Sequence, residues 1–239
     1  MNGHFVVTIL SPLWVWAGIS ALLYIILGLM VFRSLGESKL QTLSQYLGLF
    51  IFGLSIYMQL HLWLVVDIWD ARVSLPLQFC DISFIICGIA LITRHKFLYE
   101  WALLVGFPAA VHSLLTPELT RGYSNFMLFE YYFSHATQIL VPLVMTLYMG
   151  MRPRIGSWLK VFAAVNVVLA VVFVFDWLIG ANYIYLMQKP AVDNPLLIGP
   201  WPWYIVGVEI AGFIHVMLFY WIFRKTRWFA PKLAEAGQG

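Results

Sequence analysis

The stretch Gln78-Phe79-Cys80-Asp81 places a thiol among groups that hold water and protons. A cysteine in apolar surroundings is a small inert hydrophobe, and that reading fits Cys87 beside Ile85, Ile86 and Ile89. Cys80 differs, because Gln78, Asp81 and Ser83 surround it. A thiolate that water can reach is a nucleophile, provided a base takes its proton. Histidine titrates in the right range for that task. His135 shares a helical face with Tyr131, Gln138 and Pro142, at the spacing of neighbouring turns. His112 follows Pro108 by one turn, where a kink can aim its ring. Either ring can equally be a structural histidine bonded to a neighbouring helix. Glu209 stands among Val206, Gly207, Val208 and Ile210, and so needs a partner or a proton. No H-x-x-x-H or E-x-x-H pair occurs, so no metal is expected. No G-x-S-x-G elbow or phosphate-cradling glycine loop occurs either, and no cofactor is called for.

These groups belong to a chain that cannot wet its own surface. Apolar residues make up 62% of the 239 and charged residues 10%, against about 25% in soluble domains. The composition excludes a disordered chain or a disulfide scaffold and leaves an all-α integral membrane protein. The net charge of +3 is no nucleic-acid signal. Crossing some 30 Å of hydrocarbon takes about 20 apolar residues. Seven stretches qualify, at about 13–32, 46–66, 75–93, 97–115, 129–150, 158–179 and 203–223, forming a single membrane domain. The third and fourth are separated only by Arg94-His95-Lys96, which must turn tightly because one helix over both would be about 60 Å long.

Basic residues set the orientation. With seven spans one side carries Arg72, Arg121 and Lys189, while the other carries Arg33, Lys39, Arg94, Lys96, Arg152, Arg154, Lys160, Arg224, Lys225, Arg227 and Lys232. That asymmetry puts the N-terminus outside and the C-terminus in the cytoplasm. Mapped by depth, polar side chains from six helices then converge on the outer half of the bilayer, and only Glu100 and His215 fall in the inner half. Over this region runs an outer loop, 180–202, rich in aromatics and prolines. It reads as a stiff lid or an interfacial anchor. Pro200 and Pro202 remove two donors from the start of the last helix. The remaining donors, with Lys189 above them, are expected to face the cavity and favour an anionic group such as a lipid phosphate.

Several segments together resemble the YwaF-type bacterial membrane proteins, which are related to the eukaryotic transmembrane protein 164 family. They are Leu75-Pro76-Leu77-Gln78-Phe79-Cys80-Asp81, Phe133-Ser134-His135, Asn182-Tyr183-Ile184-Tyr185-Leu186-Met187 with Lys189-Pro190, and Gly199-Pro200-Trp201-Pro202-Trp203-Tyr204. The resemblance implies a seven-helix fold in a bacterial cytoplasmic membrane. It also implies acyl transfer between phospholipids, with Cys80 as nucleophile and His135 as its histidine. On that reading Asp81 orients His112 or His135, and Gln138 or His112 steadies the oxyanion, with Glu209 in support. Gln78, Tyr131, Asn182, Tyr185, Lys189, Trp201, Trp203 and Tyr204 would contact a phospholipid or other acyl lipid. The alternatives are a fatty-acid ester hydrolase and a non-catalytic carrier or sensor of a small polar or lipid ligand. Nothing in the sequence sets the oligomeric state.

Overall fold

The computed structural model describes residues 4–190 and 197–225. Arg227, Lys232, the rest of the C-terminal tail and Asn194-Pro195 of the outer loop lie outside the described residues. Helix α1 (Pro12–Arg33) starts where Ser11 Oγ accepts the Trp14 N–H, with proline in the first turn, where its missing N–H costs nothing. Helix α2 (Glu37–Val65) begins at Glu37 rather than Tyr46, since no residue between them breaks a helix, and it widens into a π-turn over His61–Val65. Helix α3 (Phe79–Thr93) starts at Phe79 rather than Leu75. The Leu75 N–H is donated instead to the Tyr183 hydroxyl, and Leu77 N–H turns back to the Leu75 carbonyl. The tight turn after α3 is made by Arg94 in the left-handed region, at φ 52°.

Helix α4 (Lys96–Leu115) carries a second π-turn at Ala102–Gly106, just before Pro108. Proline lacks an N–H and crowds the carbonyl four residues back, here that of Leu104, and a π-turn absorbs both defects. The extra residue in that turn rotates everything after it, so it sets where His112 and Ser113 point. Helix α5 (Asn125–Leu147) is capped by Ser124 Oγ, which accepts the Met127 N–H. Helix α6 (Ser157–Ile179) is bounded by left-handed glycines, Gly156 and Gly180, and α7 (Trp203–Lys225) closes the described chain.

Five of these helices (α1, α2, α4, α6 and α7) are long and apolar enough to cross a membrane; large apolar side chains are widely exposed on α1, α2, α6 and α7, whereas α4 is half buried. Helix α3 has 15 residues. Helix α5 is long but polar, with Ser134, His135, Thr137, Gln138 and Thr146 all buried. It packs against α1, α3 and α4, so its polar groups meet protein rather than lipid. Helices α2 and α3 touch at Gly48 and Gly88; a Cβ on Gly48 would lie 2.8 Å from the Gly88 carbonyl oxygen. A feature without a sequence signal is a short antiparallel ribbon, β1 (Phe5–Val6) on β2 (Glu118–Leu119). Strands this short leave no alternation to read.

At the opposite end of the bundle Glu100 is fully buried. Its carboxylate accepts from the Arg154 guanidinium at 2.7 and 2.9 Å and from the Arg154 backbone N–H at 2.7 Å. Beside it the Tyr99 hydroxyl donates to the Met151 carbonyl.

Candidate functional site

A cavity of about 420 Å³ lies between α3, α4, α5, α6 and α7, beneath the loop that follows α6. Its lower walls are apolar (Leu104, Val105, Val165, Leu169, Val216) and polar groups gather on one flank, the usual pattern of a site that takes a largely apolar ligand. Cys80 enters the flank from the first turn of α3, and its Sγ lies 3.5 Å from Ser113 Oγ on α4. No hydrogen bond joins Cys80 to His135 among the described residues, although both line the cavity.

His135, 5% exposed, donates Nδ1–H to the Tyr131 carbonyl at 2.6 Å, with Ser134 Oγ at 3.4 Å. A carbonyl can only accept, so Nδ1 carries the proton and Nε2 holds the lone pair. The Tyr131 hydroxyl reaches across to donate to the Ser113 carbonyl at 2.9 Å. One residue thus ties the imidazole to the helix turn that holds the thiol.

Asp81 does not orient a histidine. Its Oδ2 accepts from Arg121 Nη2 at 2.5 Å, in a pair whose side chains are 21% and 10% exposed. A carboxylate at this depth is best satisfied by a full charge, and Arg121 supplies it from the loop before α5. His112 faces another histidine, with His112 Nε2 3.0 Å from His215 Nε2 on α7. The cavity therefore reaches His215, which sequence depth had set apart with Glu100. Glu209 lines the cavity and accepts from Asn166 Nδ2 at 3.2 Å. Gln138 is fully buried, donates to the Ser134 carbonyl at 3.3 Å and is absent from the lining.

The loop splits into lining residues and fasteners. Gln78, Tyr131, Tyr185 and Tyr204 line the cavity; Asn182, Lys189, Trp201 and Trp203 do not. Asn182 Oδ1 accepts from Met187 and Gln188 N–H and folds the loop on itself. Lys189 donates to the Leu197 carbonyl and sits 5.6 Å over the Tyr204 ring. Trp203 is 66% exposed. Three bonds pin the loop down: Ile184 N–H to Gln78 Oε1 at 2.9 Å, Tyr204 OH to the Tyr185 carbonyl at 2.6 Å, and Trp201 Nε1–H to the Leu186 carbonyl at 3.0 Å. Tyr183 OH adds a fourth anchor on the Ala71 carbonyl at 2.8 Å, and burial pushes that phenol up to about 12. These bonds hold Ile184 and Tyr185 in the left-handed region, at φ 55° and 57°, each at a cost of about 1–3 kcal/mol. The first donors of α7 do not await an anion, because Tyr204 and Ile205 N–H bond the Pro200 and Pro202 carbonyls.

Arg121, Glu118, Glu130 and His215 join the lining without having been assigned a role from sequence. Glu118, buried on β2, pairs with His4. Arg121 carried a readable signal: Asp81 at that depth demanded a cation, and the outer side holds few. The sequence model of the TMEM164 family matches residues 5–220, and neither a curated protein nor a solved structure matches the chain.

Proposed function

Because the chain belongs to the TMEM164 family, we propose that this membrane protein moves acyl chains between lipids through a thioester on Cys80. The observation that carries the reading is the presence, in the lining of one largely apolar cavity, of a thiol in no disulfide and a histidine whose Nε2 is left as proton acceptor by the Tyr131 carbonyl. His135 Nε2 takes the Cys80 proton as Sγ leaves Ser113 and attacks the ester carbonyl of a phospholipid. The imidazolium returns that proton to the departing alkoxide, leaving an acyl-thioester and a lysolipid. Resting hydrogen bonds at catalytic pairs are commonly longer than those made with substrate present.

Gln78, Tyr131, Tyr185 and Tyr204 contact the lipid, and the segment 183–186 closes over it. The chain crosses the bilayer seven times as one domain. Helix α5 serves as a span because its polar groups face protein, and α3 because its turn with α4 leaves no room for another course. The charge asymmetry then puts the lid outside. A carrier would need a continuous polar path to Glu100 or His215: the cavity reaches His215, while Arg154 covers the fully buried Glu100 carboxylate.

The test is purified protein incubated with phospholipid bearing a labelled acyl chain. The expected result is a hydroxylamine-sensitive label on Cys80, lost in Cys80→Ser and formed about 100-fold more slowly in His135→Gln. Acyl exchange that persists in Cys80→Ser would overturn the proposal.

A further inference from the structure

The cavity contains a second base. His215 Nδ1 lies 2.6 Å from the Ala211 carbonyl oxygen, which can only accept, so Nδ1 carries the proton of this ring. In the neutral ring, Nε2 of His215 is then a bare lone pair. The contact between His112 Nε2 and His215 Nε2 at 3.0 Å needs one donor, and His215 cannot supply it. His112 Nε2 must therefore carry hydrogen, which leaves His112 Nδ1 as the lone-pair nitrogen. The chain of assignments starts at a backbone carbonyl and ends at an unprotonated nitrogen of a residue that lines the cavity. It repeats the logic of His135, where the Tyr131 carbonyl exposes Nε2. His112 also precedes Ser113, the residue in contact with the Cys80 thiol.

An acyl transfer through a thioester has two halves, and each requires a proton to leave a nucleophile: first the thiol, then the acceptor. The two bases stand on different helices, α5 and α4, in the lining of a cavity that must admit a donor and then an acceptor.

We infer that His112, held in its tautomer by His215, is the base for the second half-reaction and deprotonates the hydroxyl of the acyl acceptor, a lysolipid-type alcohol other than the one released in the first. This rests on the acyl-transfer reading. The acceptor oxygen attacks the thioester carbonyl while its proton passes to His112 Nδ1. The tetrahedral intermediate collapses, the carbon–sulfur bond breaks, and the Cys80 thiolate recovers the proton from His112. The products are an ester and the free thiol, with no oxidant or metal required. His215 is a positioning residue, because it acts only through His112. Its hydrogen bond draws the Nε2 proton and makes Nδ1 the more basic nitrogen, as a carbonyl or carboxylate does behind other catalytic imidazoles.

Two separately measured steps test this. Diacylphosphatidylcholine with a labelled acyl chain charges Cys80, and lysophosphatidylglycerol added afterwards discharges it; lysophosphatidylcholine would only reverse the charging step through His135. In His112→Gln and His215→Phe the label enters Cys80 but leaves about 100-fold more slowly, so acyl-Cys80 accumulates. His215→Gln keeps an oxygen that can accept from His112 Nε2–H, and it restores most of the discharge rate. A purely structural role for His215 would not separate Gln from Phe in this way. Discharge at the wild-type rate in His112→Gln overturns the inference while leaving Cys80 chemistry intact. Equal discharge in His215→Gln and His215→Phe overturns the positioning role. A wild-type protein that never forms the Cys80 thioester overturns the acyl-transfer reading itself.

Discussion

Asp81 shows how a single residue's depth can be legible while its partner is not. Its place in the first turn of α3 follows from hydropathy, and so does its need for company. Which side of the helix it faces does not follow, and the group it meets is 40 residues away on a loop. The same gap separated His112 from His215, 103 residues apart. Depth comes from counting residues into a span; azimuth depends on how helices pack, and in α4 on a π-turn that shifts the phase. Breaking the Asp81–Arg121 pair from either side strands a charge at low exposure. Asp81→Leu and Arg121→Leu should each cost about 3–5 kcal/mol, and the double variant should recover most of the loss. Thermal unfolding in detergent measures this, and simple addition of the two losses would show that they are not a pair. Exposed Asp70 gives a pH signature instead. The Arg72 side chain, hydrogen-bonded to it, holds the Asp70 carboxyl at about 2, below the usual range. Its contribution is complete above about pH 4 and is lost as pH falls through about 2. Arg72→Gln should raise the titration midpoint of this carboxyl in a carbon-detected NMR experiment.

Elements were more legible than their contacts. Each predicted span overlaps a helix because an unbroken apolar run marks one, while Ser11, Ser124 and Gly180 set ends that hydropathy alone does not give. The ribbon between β1 and β2, and the π-turns, left no periodic trace. The approach of α2 to α3 was hidden too, since a glycine announces a close contact only once its neighbour is known. Gly48→Leu would already set its Cβ 2.8 Å from the Gly88 carbonyl oxygen and 2.7 Å from Ile92 Cγ1, and should destabilise the bundle by about 1–3 kcal/mol or more. Gly53, with nothing within 4 Å of its Cβ, should tolerate alanine. Equal losses at both sites would contradict the packing argument. The lid makes its own prediction at this scale. Gln78→Leu removes the acceptor for Ile184 N–H, so the left-handed pair at 184 and 185 loses one of its restraints. Faster proteolysis within 182–187, with little change in global melting, is the expected outcome.

At the scale of the molecule, the two ends of the bundle are built for different purposes. The lid end gathers groups around an open volume, whereas the far end spends its charges closing itself. Arg154→Ala leaves the Glu100 carboxylate buried with one backbone donor, and about 3–5 kcal/mol of stability should go with it. Glu100→Gln in the same chain should return most of that, as read by the midpoint of thermal inactivation. The pair also sets a clock. Glu100 leaves the ribosome 54 residues before Arg154, an interval of about 3–10 s at ordinary rates of synthesis. Throughout that interval the carboxyl group of α4 lacks the Arg154 guanidinium that satisfies it in the folded chain, and α5, the helix that will be surrounded on most sides, is still being made. The nascent chain must therefore hold α4 near water or inside the insertion machinery until the 148–156 turn emerges. Arrival of Arg154 is the moment at which the far end can lock.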